Sequence, residues 1–248
     1  MSLIRAEKLL VEFPIYGAQS SSLKKAVLRA ATGGALARGA DDRVFVRALD
    51  GVSFEFREGD RVALTGHNGS GKSTLLRVIA GAYEPVSGKI EVTGKIASML
   101  SLWLGMDNDA TGYENIYMRA MIMGLRKAEI DRLVEDITEF SELGDYLQMP
   151  LRTYSSGMAM RLAFAVSTAV AADILLMDEW LSVSDHTFFE KAQRRLLDLI
   201  DRAKILVLAT HDQTLIRSVC NKVVVMDRGG IASIGPVSSL DQVEELLL

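Results

Sequence analysis

Arg61-Val62-Ala63-Leu64-Thr65-Gly66-His67-Asn68-Gly69-Ser70-Gly71-Lys72-Ser73-Thr74 is the stretch on which the fold turns. Arg61 to Thr65 reads as an apolar strand. Gly66 to Ser73 fits G-x-x-x-x-G-K-[S/T], and a helix follows from Ser73. The loop needs glycine because consecutive backbone N–H groups must turn toward phosphate oxygens. The N-terminal end of the following helix adds positive partial charge. Lys72 can reach β- and γ-phosphates, and the Ser73 hydroxyl can ligate Mg²⁺. The expected nucleotide-binding residues are therefore Gly66, His67, Asn68, Gly69, Ser70, Gly71, Lys72, Ser73 and Thr74. His67 occupies a variable position of the motif and reads by itself as a loop residue.

Further along the chain, Ile174-Leu175-Leu176-Met177-Asp178-Glu179 supplies the second half of such a site. Four apolar residues bury a strand and deliver Asp178 to its exposed end, where a phosphate-loop protein uses an Asp to hold Mg²⁺. Glu179 follows at once and can accept a proton from an attacking water. His211, in Ala209-Thr210-His211-Asp212, comes after a further apolar strand, Ile205–Leu208. Between the phosphate motifs lies Tyr154-Ser155-Ser156-Gly157-Met158, just before an apolar helix over Met158–Ala172. A Ser hydroxyl, small residues and a helix N-terminus make either an ordinary cap or an anion site.

The rest of the chain alternates strands and helices, which implies an α/β fold with a mainly parallel sheet. Leu9–Phe13 reads as a strand closed by Pro14, and strand character resumes from Val44 to Arg57. Between them, residues 15–43 shift to Ser, Gly, Ala and basic residues. Ser21–Arg29 suits a short basic amphipathic helix, broken by Gly33-Gly34 and Gly39. The middle third is helical. Thr111-Gly112-Tyr113-Glu114 has the form of a capping box, and Ile130, Leu133, Val134 and Ile137 share one helical face. Val223–Met226 is a late strand, and Leu240–Leu247 a short final helix.

Composition bounds the function. The chain has 248 residues, 49% hydrophobic and 24% charged, enough for one sizeable core without disulfides. A net charge of -4 and a pI near 5.5 argue against a dedicated nucleic-acid binder. The single cysteine, Cys220, suits a reducing compartment, and its apolar surroundings suit a buried residue rather than a nucleophile. Charges at Arg5 and Glu7 interrupt any signal-peptide core, and the longest apolar run is broken at Asp173. A cytoplasmic protein attached to a membrane through a partner is expected.

In this order and spacing the motifs resemble the ABC ATPases. Tyr154-Ser155-Ser156-Gly157-Met158 resembles their signature, commonly Leu-Ser-Gly-Gly-Gln, at Ser155 and Gly157. Ser182-Val183-Ser184-Asp185 stands where the family has its D-loop, and His211 matches its switch histidine. The resemblance implies an α/β P-loop NTPase fold with a parallel core sheet, an antiparallel β portion and a helical subdomain over roughly 102–172. It implies one nucleotide-binding domain over 1–248, binding ATP and Mg²⁺. Ser73 and Asp178 would be at the metal, Glu179 and His211 in catalysis. Ser155, Ser156 and Gly157 would act in trans and Asp185 at the dimer contact, in a head-to-tail pair of identical chains beneath integral membrane permease subunits. Most family members carry a Gln after the strand entering the helical subdomain. Ile96-Ala97-Ser98-Met99-Leu100-Ser101-Leu102 has none, and Ser101 is the candidate for that position. The adenine-stacking aromatic is open between Phe13, Tyr16 and Phe45.

Thr111–Asn115, Tyr154–Met158 with Arg161–Ala165, Asp178–Asp185 and the long segment after Phe13-Pro14-Ile15-Tyr16 narrow the resemblance to ATPase subunits of O-antigen, capsule and teichoic-acid exporters. They imply export of a lipid-linked polysaccharide across the bacterial inner membrane, with the ATPase at its cytoplasmic face. The alternatives are an ATPase of another exporter, a non-transport ABC machine and an ATP-dependent scaffold. The 15–43 insertion is expected to face the membrane, with Lys24, Lys25 and Arg29 near headgroups and Tyr16 stacking on sugar. No C-terminal carbohydrate-binding domain is expected.

Overall fold

The computed structural model describes residues 1–15, 35–38, 44–179 and 186–239. The strands are β1 (Leu3–Ile15), β2 (Ala35–Arg38), β3 (Val44–Arg57), β4 (Arg61–Thr65), β5 (Ser87–Thr93), β6 (Ile96–Ser98), β7 (Ile174–Asp178), β8 (Ile205–Ala209), β9 (Lys222–Asp227) and β10 (Gly230–Pro236). The helices are α1 (Lys72–Ile79), α2 (Gly112–Ile122), α3 (Lys127–Ser141), α4 (Ser156–Ala169), α5 (His186–Arg202) and α6 (Gln213–Val219). They fall into two units. The first is Met1–Ile96, Leu176–Glu179 and Lys204–Leu248, the second Ala97–Leu175 and Trp180–Ala203.

Two sheets carry the strands, in the orders β10-β9-β4-β8-β7-β6 and β2-β3-β1-β5. β4 lies between β8 and β9 and runs parallel to both, with Ala63 opposite Leu208 on one side and Val223 on the other. Val62, Ala63, Leu64 and every β8 residue from Ile205 to Leu208 are fully buried. A parallel strand covered on both faces has no polar side to alternate with, so an unbroken apolar run is what it requires. The parallel core and the antiparallel portion are both as expected from the sequence.

The antiparallel sheet departs from the sequence reading in its detail. β1 spans Leu3–Ile15 instead of starting at Leu9 and ending before Pro14. Its buried residues are Ile4 and Ala6, then Leu9 and Val11, so the inward parity flips midway. The register slips between Ala6 and Leu9, where Lys8 has φ 50. This bulge inserts one residue and turns the strand's other face inward. Pro14 is accommodated opposite Phe45 of β3. Pairing with β5 ends at Leu10, so a residue without an N–H meets no ladder on that side. Within the 15–43 segment, Ile15 still belongs to β1, and Ala35–Arg38 pairs antiparallel with Val44–Arg47 of β3. The helix expected over Ser21–Arg29, Tyr16 and the helix over Leu240–Leu247 lie outside the described residues.

The second unit takes in residues from Ala97 and also helix α5. α2 starts at the capping box. Glu114 N–H donates to Thr111 Oγ1 at 3.2 Å, and Thr111 N–H donates to Glu114 Oε2 at 2.7 Å. Phe140, Phe164 and Phe188 bring α3, α4 and α5 together, with ring centroids 5.5 to 6.3 Å apart. The Arg195 guanidinium caps Phe140 at 4.2 Å from its centroid. Buried Arg119 joins α2 to α4. Its Nη2 donates to Ser167 Oγ at 2.7 Å and its Nη1 to the Leu104 carbonyl at 2.7 Å. Burial beside neutral acceptors pushes its pKa down to about 10. No described helix is long and apolar enough to cross a membrane.

Candidate nucleotide site

β4 ends at Thr65 and the chain turns through the glycine-rich loop into α1. Gly66 has φ 139, and a Cβ there would overlap the Met226 carbonyl oxygen. Gly71 caps α1 with φ 107, and its Cβ would lie 2.7 Å from the Ala48 carbonyl oxygen. No side chain fits either position. The turn between β9 and β10 braces the loop, with Gly229 N–H donating to the Ser70 carbonyl at 3.0 Å. His67 adds a side-chain brace, Nε2 to Asp227 Oδ1 at 2.9 Å.

Lys72 folds back over the loop. Its Nζ donates to the carbonyls of Gly66 at 2.6 Å and His67 at 3.1 Å. Burial lowers its pKa, against the opposing pull of the Asp178 and Glu179 carboxylates. β7 presents Asp178, half-buried, and then Glu179, exposed. Glu179 has φ 68, the left-handed conformation, while its N–H donates to the Ala209 carbonyl at 2.8 Å. That bond ties the end of β7 to the end of β8, where Thr210 and His211 begin the next turn.

These pieces open into one cavity of about 360 Å³. Its lining includes Asn68, Gly69, Gly71, Lys72, Ser73 and Thr74 from the loop and helix, Asp178 and Glu179 from β7, and His211. Phe13, Val46 and Ala48 supply apolar lining. Of the three aromatic candidates, Phe13 lines the cavity. Its ring packs edge-on against Tyr83, with centroids 5.2 Å apart. Phe45 is not among the lining residues, and Tyr16 lies outside the described residues. Thr210 was missed in the sequence. It is 5% exposed, lines the cavity and accepts from Asp212 N–H at 3.2 Å, which shapes the turn carrying His211. Its only signal was a hydroxyl next to that histidine.

Ser155, Ser156 and Gly157 belong to the second unit. Ser155 is the N-cap of α4, its Oγ accepting from Met158 N–H at 3.2 Å. Ser155 and Ser156 are exposed, so the helix end is open to a ligand. Asp185 lies outside the described residues. Ser101, the candidate for the Gln position, offers its carbonyl to Arg119 Nη2 at 3.4 Å. Burial pushes the Cys220 thiol up to about 12, the reverse of what a nucleophile needs.

Among the described residues no group of three or more His, Cys, Asp or Glu side chains could hold a metal ion. Mg²⁺ needs no such cage, because it keeps waters and takes one or two protein ligands plus substrate phosphates. Ser73 and Asp178 lining one cavity beside the phosphate loop fit that mode. Ser70 Oγ is buried without a partner inside the same loop.

The family model described as ABC transporter matches residues 49–182. The O-antigen export system ATP-binding protein RfbE of Yersinia enterocolitica is 44% identical over 92% of this chain and 96% of its own length. The teichoic acids export ATP-binding protein TagH of Lactococcus lactis is 37% identical over 94% of this chain. The chain spans 48% of that protein's length. A solved structure described as the ATP-binding subunit of an ABC transporter superposes with a TM-score of 0.68 at 22% identity, covering 98% of this chain and 94% of that one. That last likeness concerns the fold alone.

Proposed function

The chain belongs to the ABC transporter family, and on that premise we propose that it is the ATP-hydrolysing subunit of an exporter for a lipid-linked polysaccharide in the bacterial inner membrane. The observation that carries this reading is the single cavity into which Lys72, Ser73, Asp178, Glu179 and His211 all open. The substrate class rests on the relatives, whose names specify export of O-antigen and teichoic acids.

Each side chain has a separable task. Lys72 leaves the two carbonyls it now holds and turns its ammonium to the β- and γ-phosphates. The loop N–H groups and the α1 terminus share that charge. Glu179 takes the proton as water attacks the γ-phosphorus. The bond to the β-phosphate oxygen then breaks, leaving ADP and phosphate. His211 orients Glu179 and the water. Ser73 and Asp178 would hold Mg²⁺, which would neutralise phosphate charge. Phe13, which lines the cavity, is the candidate to stack on adenine.

A second copy completes the site head to tail. Ser155, Ser156 and Gly157 of one chain face the nucleotide held by Lys72 of the other, with Asp185 at the contact between them. ATP joins the pair, hydrolysis releases it, and separate permease subunits follow the motion at the cytoplasmic face. Residues 15–43, with Lys24, Lys25 and Arg29, lie toward the membrane and help recognise the lipid end of the polymer, with Tyr16 against sugar. Each basic residue near anionic lipid is worth about 1 kcal/mol, so the segment biases position without anchoring the chain.

The test is reconstitution of the subunit with its co-purified membrane subunits in vesicles carrying lipid-linked polymer. ATP-dependent translocation of the polymer is expected. Vigorous ATP hydrolysis with no polymer movement would overturn the substrate assignment.

A further inference from the structure

We propose that Tyr154 is a positioning residue for the signature segment, setting the direction in which Ser155, Ser156 and Gly157 leave the chain. The inference rests on the composite-dimer reading above.

Three observations carry it. First, the phenol is pinned. Its Oη donates to the Tyr146 carbonyl at 2.6 Å, and the two rings meet edge-on at 6.4 Å between centroids. Second, its seat has been cleared. A Cβ on Gly112 would collide with the Tyr154 hydroxyl and come within 3.0 Å of the Leu147 backbone. Gly112 is the first residue of α2 and is not among the positive-φ glycines. The backbone there does not call for glycine, and the space held by the Tyr154 hydroxyl and, less tightly, by Leu147 does. Third, the chain entering the signature is laced to the chain entering α2. Leu151 N–H donates to the Ala110 carbonyl and Arg152 N–H to the Asn108 carbonyl, both at 2.9 Å, and Gly112 N–H donates to the Met149 carbonyl at 3.2 Å.

This lacing stops short of the signature. Tyr154 and Ser155 are two consecutive extended residues, with ψ 149 and 160. Tyr154 N–H donates to the Leu151 carbonyl at 3.0 Å, which closes the preceding turn but leaves the exit direction to its side chain. A signature rotated by small errors still caps α4 through Ser155 but misses the partner's γ-phosphate. Misplacement by about 1 Å can cost around a hundredfold in rate.

Tyr154→Phe removes one hydrogen bond, so kcat should fall about threefold to tenfold. KM for ATP should hold, because the Lys72 cavity is untouched. Tyr154→Leu, which also loses the ring, should fall further. Gly112→Ala should impair kcat by displacing the phenol. Combined with Tyr154→Phe it should cost less than the product of the two single losses, because the collision with the hydroxyl is then relieved and only the contact with Leu147 remains.

The deciding measurement is complementation in trans. Tyr154→Leu subunits are mixed with Lys72→Ala subunits, and heterodimer formation is verified. One composite site then carries both defects and the other carries neither. Ser155→Arg with Lys72→Ala is the control. Equal recovery of activity in both mixtures supports the assignment, since a subunit that merely folds badly rescues nothing. Recovery in the control without recovery for Tyr154→Leu overturns it, as does full kcat in Tyr154→Phe. Failure of the control overturns the composite-dimer reading itself, and the Tyr154 role with it.

Discussion

Replacing Glu179 with glycine should make the protein more stable while stopping its chemistry. Glu179 holds φ 68, where Cβ crowds the backbone at a cost of about 1–2 kcal/mol. Glycine removes that penalty but adds freedom to the unfolded chain, which takes back about 0.5–1 kcal/mol. The net gain centres on about 0.75 kcal/mol. In a chain this size each kcal/mol moves the melting temperature by about 2–4 °C, so Tm should rise by roughly 1–4 °C. Loss of the carboxylate also removes some electrostatic support for Lys72, a small term because the Glu179 side chain is exposed and screened. Turnover should meanwhile fall about 10²–10⁴-fold with the base gone. Glu179→Gln is the control. It keeps the strained backbone, so its Tm should match the parent while its turnover falls as far. Thermal unfolding without nucleotide, beside steady-state ATP hydrolysis, reads both quantities. A glycine variant that melts several degrees lower would refute the strain argument, and one that hydrolyses ATP normally would refute the role of the carboxylate.

Lys72→Ala should abolish productive ATP binding, measured by nucleotide titration. Retained affinity and turnover would remove the phosphate-loop assignment. Thr111→Ala takes away the Oγ1 that accepts from Glu114 N–H and should cost about 1 kcal/mol, seen as a lower Tm with little change in KM. Phe13→Ala should raise KM for ATP by roughly tenfold if its ring meets adenine, since stacking on a base is worth about 1–3 kcal/mol. An unchanged KM would leave that role to Tyr16. Shortening residues 20–40 should leave hydrolysis by the isolated subunit intact and impair export in cells, and normal export would sink the membrane-facing role.

The parts of the site legible in the sequence are those built from consecutive residues. Gly66 to Ser73 encodes its own turn, Ile174 to Met177 buries itself and exposes Asp178, and Thr111 with Glu114 closes its cap within one helical turn. What stayed hidden depends on chain brought from elsewhere. The bulge at Lys8 reverses the inward parity of β1, so a search for strict alternation catches only the half beginning at Leu9. Pro14 reads as a terminator until the pairing shows β5 ending opposite Leu10. Gly112 looks like a weak residue in a helix start. The space it leaves is held by the Tyr154 hydroxyl, 42 residues further along the chain, and by Leu147. No motif in the sequence announces the burial of Arg119, yet it is 2% exposed and bonded to Ser167 and the Leu104 carbonyl.

If ATP hydrolysis at the Lys72–Glu179 cavity drives export of a lipid-linked polysaccharide, surface polymer must depend on the Glu179 carboxylate. The direct measurement is polymer at the cell surface in cells lacking this subunit, re-supplied with either the parent or Glu179→Gln at equal abundance. The parent should restore surface polymer, and the variant should bind ATP yet leave the polymer lipid-linked on the cytoplasmic side. Normal surface polymer with Glu179→Gln would contradict the claim.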